Sequence, residues 1–297
     1  MKFKTWEWPT LALIALAYWA WAMATTWVAA LWLPGAVALT AVAIAQHASV
    51  QHEVIHGHPF PSRWLNTALV FPALTLAIPY FRFRETHLAH HTDARLTDPF
   101  DDPESNYLDG GTWERLPRAL QWVLRANNML GGRLLIGPLV GTVFFLASEA
   151  RAARTDPRVR RGWLWHIPSA ALVLAWVWWA AMPVWAYLIA CYGALSLLRI
   201  RTFLEHQAHE QARARSVIVE DRGPLALLFL NNNLHVVHHM HPRVPWYRLP
   251  VLYRDNRARY LAVNGGYYFR SYGEVFRRYL LAGKDPVAHP LWRRGPG

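Results

Sequence analysis

Two long stretches of the chain carry no Lys, Arg, Asp or Glu: 43 residues from Pro9 to Gln51 and 37 from Gly162 to Leu198. A helix needs about 20 apolar residues to cross a bilayer, so each stretch has room for two crossings and a tight turn. Breakers mark the turns, Leu33-Pro34-Gly35 in the first run and Met182-Pro183 in the second. The expected spans are Pro9–Leu31, Pro34–Ser49, Gly162–Ala181 and Pro183–Leu198. Ala22-Met23-Ala24 resembles a cleavage site, but the apolar run continues past it, so the segment reads as an uncleaved anchor. Charged residues make up 17% of the chain, against roughly 25% in an ordinary soluble domain. A plain soluble globule and a disordered chain are both excluded.

Both inter-helix turns lack Lys and Arg, whereas Lys2, Lys4, Arg82, Arg84, Arg158, Arg199 and Arg201 flank the other ends. The positive-inside rule therefore places both termini on the cytoplasmic side. Two shorter apolar stretches, Trp64–Phe81 and Leu134–Ala147, are interrupted by Pro72 and Pro79 and by Gly137, Pro138 and Gly141. They are expected to be re-entrant or interfacial rather than spanning. Near the C-terminus Tyr272, Val275, Phe276, Tyr279 and Leu280 share one helical face, with Arg277 and Arg278 off it, as in an interfacial or packing helix. The formal charge of +12 calls for an acidic partner or surface. The single cysteine, Cys191, excludes a disulfide framework, a Cys-ligated zinc site and a Cys-held iron–sulfur cluster.

Fifteen histidines remain to be explained, and most fall in three clusters. They are His52-Glu-Val-Ile-His56, His87-Leu-Ala-His90-His91 and His235-Val-Val-His238-His239. On a helix, residues three or four apart share a face, so His52/His56, His87/His91 and His235/His239 can each converge on one point. His90 and His238 then point about 100° away from their neighbours, which suits two metal ions close together. At this histidine content chance yields the pattern HxxHH about 0.04 times in such a chain, so finding it twice is a strong signal. All three clusters meet on one face if Trp64–Phe81 and Leu134–Ala147 stay on one side of the membrane.

The pattern HxxxH, HxxHH, HxxHH resembles the membrane-bound fatty acid desaturase and hydroxylase superfamily of bacterial type, over roughly Ala45 to Tyr253. Asp98-Pro-Phe-Asp-Asp-Pro-Glu-Ser105 is similar to the acidic tail behind that family's second box. Asn231-Asn-Asn-Leu-His235 and His239-Met-His-Pro-Arg-Val-Pro-Trp246 are similar to the surroundings of its third. The resemblance implies an all-α integral membrane protein: four transmembrane helices in two hairpins, with a cytoplasmic helical cap at about 52–161 and 199–297. The whole of 1–297 would form one such domain in a bacterial inner membrane, with the active site on the cytoplasmic side.

It implies two non-haem irons, O2 as co-substrate, and desaturation of an acyl lipid or related aliphatic substrate. Hydroxylation, or desaturation of a small amino-acid-derived metabolite, remains open. His52, His56, His87, His90, His91, His235, His238 and His239 would be metal ligands, joined by His206 just past the last span. Asn232 or Asn233 would hold a metal-bound water. Glu53, Glu205 and Asp93 stand beside these positions as outer partners, since a ligating histidine donates its second N–H to a carboxylate or carbonyl. His58, His209 and His241 read as outer or solvent-facing, His47 stays ambiguous, and His166 and His289 have no companions. No fused redox domain is seen in the sequence, so electrons are expected from an external ferredoxin, rubredoxin or cytochrome b5-type donor. Membrane lipid is the other partner, and nucleic acid is not one.

Two competing readings use less of the sequence. His52-Glu53-Val-Ile-His56 is also HExxH, the zinc metalloprotease signature, but that leaves both HxxHH clusters unexplained. A basic protein that only binds anionic lipid would leave all the histidines unexplained, and the positive-inside rule already accounts for its charges.

Overall fold

The computed structural model describes residues 6–292, so Lys2 and Lys4 lie outside the described residues. The chain is mainly helical and divides into two compact units built from interleaved segments. The first comprises 1–84, 141–198 and 228–230; the second comprises 85–140, 199–227 and 231–297.

In the first unit α1 (Trp8–Met23) continues through a π-helical turn, Ala24–Val28, as far as Leu31. Trp32 is extended, with φ −156°, and its indole lies over Gly35, where a Cβ would meet the ring at 2.2 Å. The glycine in the predicted turn is thus required by a close approach. The next helix, α2 (Leu33–Ile55), runs past the expected end at Ser49 and carries His52 in its last turn. Later come α3 (Tyr80–His90), α4 (Gly137–Ala152), α5 (Pro157–Trp179) and α6 (Val184–Thr202).

Among the described residues three helices are long and apolar enough to cross a membrane: Trp8–Leu31, Leu33–Ile55 and Val184–Thr202. The third expected span coincides with α5, which has the length but not the apolarity. It opens with Arg158, Arg160 and Arg161, and its tryptophans, His166 and Pro168 dilute the apolar run.

The stretch expected to be re-entrant forms only a short helix, Arg63–Leu69, followed by irregular backbone over 70–79. Backbone carbonyls away from water need partners, and polar side chains on α1, α2, α5 and α6 supply them. Tyr18 Oη donates to Leu69 O at 2.9 Å and Gln51 Nε2 to Val70 O at 3.0 Å. Ser169 Oγ donates to Phe71 O at 2.6 Å, Tyr187 Oη to Leu74 O at 2.7 Å, and His166 Nε2 to Leu76 O at 3.0 Å. Trp21 Nε1 in turn donates to Tyr187 Oη at 3.2 Å. Within the same unit Arg82 makes a two-pronged pair with Glu149, at 2.7 and 3.0 Å, and Trp163 Nε1 adds a third bond to that carboxylate.

The second unit is built around a small apolar core of Ile218, Leu234, Val236, Val237, Leu249, Tyr253 and Tyr260. Ile218–Val219 and Tyr268–Phe269 form a two-residue parallel pair. Its helices include α7 (His235–Met240) and the amphipathic α8 (Tyr272–Tyr279), which buries Tyr272 and Val275 as the sequence pattern anticipates.

Candidate metal centre

On α7 successive residues turn by about 100°, so His238, His235 and His239 occupy one 100° arc while Val236 and Val237 point the other way. The valines enter the core of the second unit, which fixes the helix and aims the histidines at a common point. A backbone scaffold brings His206 to the same place. Val217 N donates to Glu205 O and Gln207 N to Arg215 O, and the 217–219 strand then binds the loop before α7 through Val219 N to Asn233 O and Val236 N to Val217 O. Lys284 Nζ donates to His206 O at 2.7 Å and holds the strand from the other side. Box two, near the end of α3, has the same spacing and presents its three rings in the same fan.

Seven of the histidines in the second unit form two adjoining sets. His90, His206, His235 and His239 each bring one ring nitrogen within 4.8 Å of the others. Nε2 of His206 lies 2.9 Å from that of His90 and 3.0 Å from that of His235, which is 3.2 Å from His239 Nε2. In the other set His91 Nε2 lies 3.0 Å from His87 Nε2 and 3.2 Å from His238 Nε2. Each HxxHH cluster thus gives two rings to one set and one ring to the other. The sets touch where His91 stacks on His239, ring centroids 4.3 Å apart.

The outer nitrogens of four of these rings are occupied. His90 Nδ1 donates to Asp102 Oδ1 at 2.8 Å and His87 Nδ1 to Glu104 Oε1 at 3.1 Å. His235 Nδ1 donates to Asn232 Oδ1 at 3.2 Å, and His206 Nδ1 lies 3.2 Å from Ser216 Oγ. The Nε2 atoms of these rings converge inward, an arrangement that suits a metal ion between them. The separations also fit an ion: nitrogens about 2.1 Å from one metal lie roughly 3.0 Å apart at a right angle and roughly 3.4 Å apart in a tetrahedral site.

The charges agree with this picture. Burial alone would lower the His90 pKa, but Glu104 and Asp102 push it up to about 9. Burial, reinforced by the neighbouring rings, holds His206 and His235 well below the ordinary histidine range. Burial would raise the Glu104 carboxyl, but His90 and His87 bring it down to about 2. Two neutral imidazoles and fixed carboxylates behind the rings form a donor set ready for a divalent ion.

The structure distributes the other candidates more unevenly. In the first unit His52 and His56 face each other, ring centroids 5.1 Å apart. Glu205 stands behind the set that contains His235, 3.7 Å from His235 Nδ1, paired with Arg201 at 2.9 Å and accepting from Asn232 Nδ2 at 3.4 Å. Burial raises its carboxyl above the ordinary range, against the pull of Arg201. Glu53 approaches His58, at 3.8 Å. The side chain of Asp93 lies outside the described residues. Asn233 directs its amide to the carbonyls of Val219 and Asp221 and so braces the strand rather than the rings. His209 belongs to neither set and accepts from Gln211 N.

Asp102, Glu104 and Ser216 were not anticipated as ring partners. The acidic stretch after box two was the available signal, but its register against the rings depends on how residues 93–105 turn back. Thr97 N and Glu104 N both donate to the Asp102 carboxylate, which fixes that turn.

The sequence profile of the fatty acid desaturase family matches residues 27–272. A beta-carotene ketolase of Paracoccus sp. (strain N81106) is 27% identical over 215 residues, covering 68% of this chain and 71% of the relative.

Proposed function

The chain belongs to the fatty acid desaturase family, and from that premise we propose that it is an O2-dependent membrane oxidoreductase with two irons, which introduces a double bond into an acyl lipid or related aliphatic substrate. The observation that carries this reading is the division of each HxxHH cluster between two adjoining sets of inward-facing nitrogens. His90, His206, His235 and His239 would hold one ion, and His87, His91 and His238 would hold the other. Side chains offer no oxidant strong enough for an unactivated C–H bond, and two irons with O2 and two electrons would supply it.

The residues of this chain provide the setting. Asp102, Glu104 and Asn232 hold their rings by the Nδ1 atom and set the direction of each Nε2. His90 and His235 are buried, so water has little access between the rings. Asn232 is placed beside a ring, where it can also hold a water on an ion. The helix α5 acts as the fourth span, with both termini and the metal centre on the cytoplasmic side of a bacterial inner membrane. Electrons come from an external ferredoxin, rubredoxin or cytochrome b5-type donor, and the net charge of +12 favours an acidic one.

A second reading is favoured by the relative, whose name describes a ketolase acting on beta-carotene. In that case oxygen is inserted at a methylene rather than lost to water. Elemental analysis and 18O2 labelling test both readings together. Two irons per chain are expected, with a lipid or metabolite that loses two hydrogens and gains no label in cells carrying the protein. Label retained in the product selects oxygen insertion. One zinc per chain, with activity persisting in the absence of O2, rejects both.

A further inference from the structure

A third group of potential ligands lies in the first unit and shares no histidine with the histidine clusters: Glu7, Glu53 and His58. Each offers an oxygen or nitrogen within 4.8 Å of the other two. All three are at least nine-tenths buried, with Glu7 8%, Glu53 4% and His58 4% exposed. Local structure holds them firmly. Glu7 immediately precedes α1, where Thr10 Oγ1 donates to its Oε2 at 3.3 Å, and Glu7 N donates to Pro59 O at 3.4 Å. The loop after α2 is clamped at Phe60, whose N–H and C=O both bond to the Asn66 side chain, at 2.9 and 2.8 Å. Trp6 closes edge-on over Phe60, ring centroids 5.5 Å apart.

The decisive atom is His58 Nε2. The Nδ1 atom donates to Glu7 Oε1 at 2.7 Å, which leaves Nε2 to carry either a proton or a metal ion. Nε2 is buried, has no hydrogen-bond partner among the described residues, and points toward Glu53 Oε1, 3.8 Å away. A buried lone pair facing a carboxylate oxygen is repulsive unless a positive species lies between them. The 3.8 Å gap is too long for a hydrogen bond and suited to an ion bonded to both atoms at about 2.1 Å.

We propose that Glu7, Glu53 and His58 form a third, mononuclear metal site that ties the start of α1 to the loop leaving α2. Two carboxylate oxygens and one imidazole nitrogen suit a first-row divalent cation such as Mn2+ or Fe2+, whereas Mg2+ and Ca2+ favour oxygen alone. The site explains why a chain that leaves its first apolar run without charges buries two carboxylates at the ends of that run. It is independent of the oxidoreductase reading, since none of its residues is a ring of the two sets.

The test uses the full-length protein in detergent, with the iron of its histidine clusters counted by elemental analysis before and after each step. Mn2+ is titrated in and followed by electron paramagnetic resonance. One further equivalent is expected to bind, with electron spin-echo modulation from one imidazole nitrogen, a rise in the melting temperature, and no change in iron. Glu7→Gln, which keeps an acceptor for Nδ1, should weaken Mn2+ binding at least tenfold. His58→Gln should weaken it likewise and remove the nitrogen modulation. If the unaltered protein binds no further Mn2+ up to millimolar concentration, the trio is an ion pair held by a proton and the proposal fails. Binding at equal strength in both variants places the ion elsewhere and also overturns it. The titration of the unaltered protein decides the matter even if a variant does not fold.

Discussion

The irregular stretch 70–79 and the histidine sets both gather buried polar side chains, including histidine, yet they use hydrogen-bonding capacity in opposite ways. Around 70–79 every contact described pairs a donor with a carbonyl: His166 with Leu76 O, Tyr187 with Leu74 O, Ser169 with Phe71 O. Those bonds satisfy the carbonyls from within the chain, and their product is a non-helical segment held by side chains. In the histidine sets the outer nitrogens of His87, His90, His206 and His235 are paired, and the inner nitrogens confront each other at 2.9–3.2 Å. That arrangement gathers nitrogens that could hold a metal ion. The two kinds of buried histidine differ in what their Nε2 atoms face, a backbone carbonyl in one region and other ring nitrogens in the other, and not in burial.

The sharpest way to break this comparison is at His206. His206→Ala should lower the metal count and reduce turnover by more than the roughly 10–100-fold typical of outer partners. His209→Ala, three residues on and outside both sets, should do neither as severely. Equal metal content and activity in the two variants would make His206 an interfacial residue like any other.

A step down in size, Asp102→Asn should weaken metal retention about 10–100-fold by releasing His90 Nδ1, and Glu104→Gln should act in the same direction on the other set. Competition with a chelator measures both. Loss of stability with no change in metal affinity would move these carboxylates into the class of the 70–79 contacts.

The pH dependence sharpens the same point. Because the neighbouring carboxylates raise His90 to about 9, its folded form holds a proton throughout the neutral range that an incoming ion must displace. Apparent metal affinity should therefore rise about tenfold per pH unit as pH increases toward 9, and level off above it. Asp102→Asn removes one of the groups that raise this pKa, so the plateau should begin at lower pH. A slope unchanged in that variant would assign the proton to another group.

The smallest effect is expected in the first region. Tyr187→Phe removes the hydroxyl between Trp21 Nε1 and Leu74 O and should cost about 1–3 kcal/mol of stability, read as a lower melting temperature in detergent. Metal content should not change. Loss of metal at unchanged melting temperature would erase the distinction between the two regions.

What could be read directly from the sequence was set by short-range geometry. Length and absence of charge determine that Trp8–Leu31, Leu33–Ile55 and Val184–Thr202 can cross a membrane. The HxxHH spacing determines that two rings share a face while the third turns away, because about 100° per residue leaves no other outcome on a helix. His206 was legible only as a histidine just beyond a span, and the structure supplied the strand that carries it to box three.

The remainder was decided by tertiary structure. Asp102 and Glu104 stand among several acids after box two, and only the turn of 97–104 selects these two for His90 and His87. Glu53 adjoins His52 in sequence, but neighbours on a helix point about 100° apart, and its carboxylate lies near His58. His166 and Tyr187 reach carbonyls 90 and 113 residues away. Local periodicity constrains the direction of a side chain within a turn or two of helix. The identity of the group it meets depends on how distant segments satisfy every buried donor and acceptor at once, and that condition is met only in the folded chain.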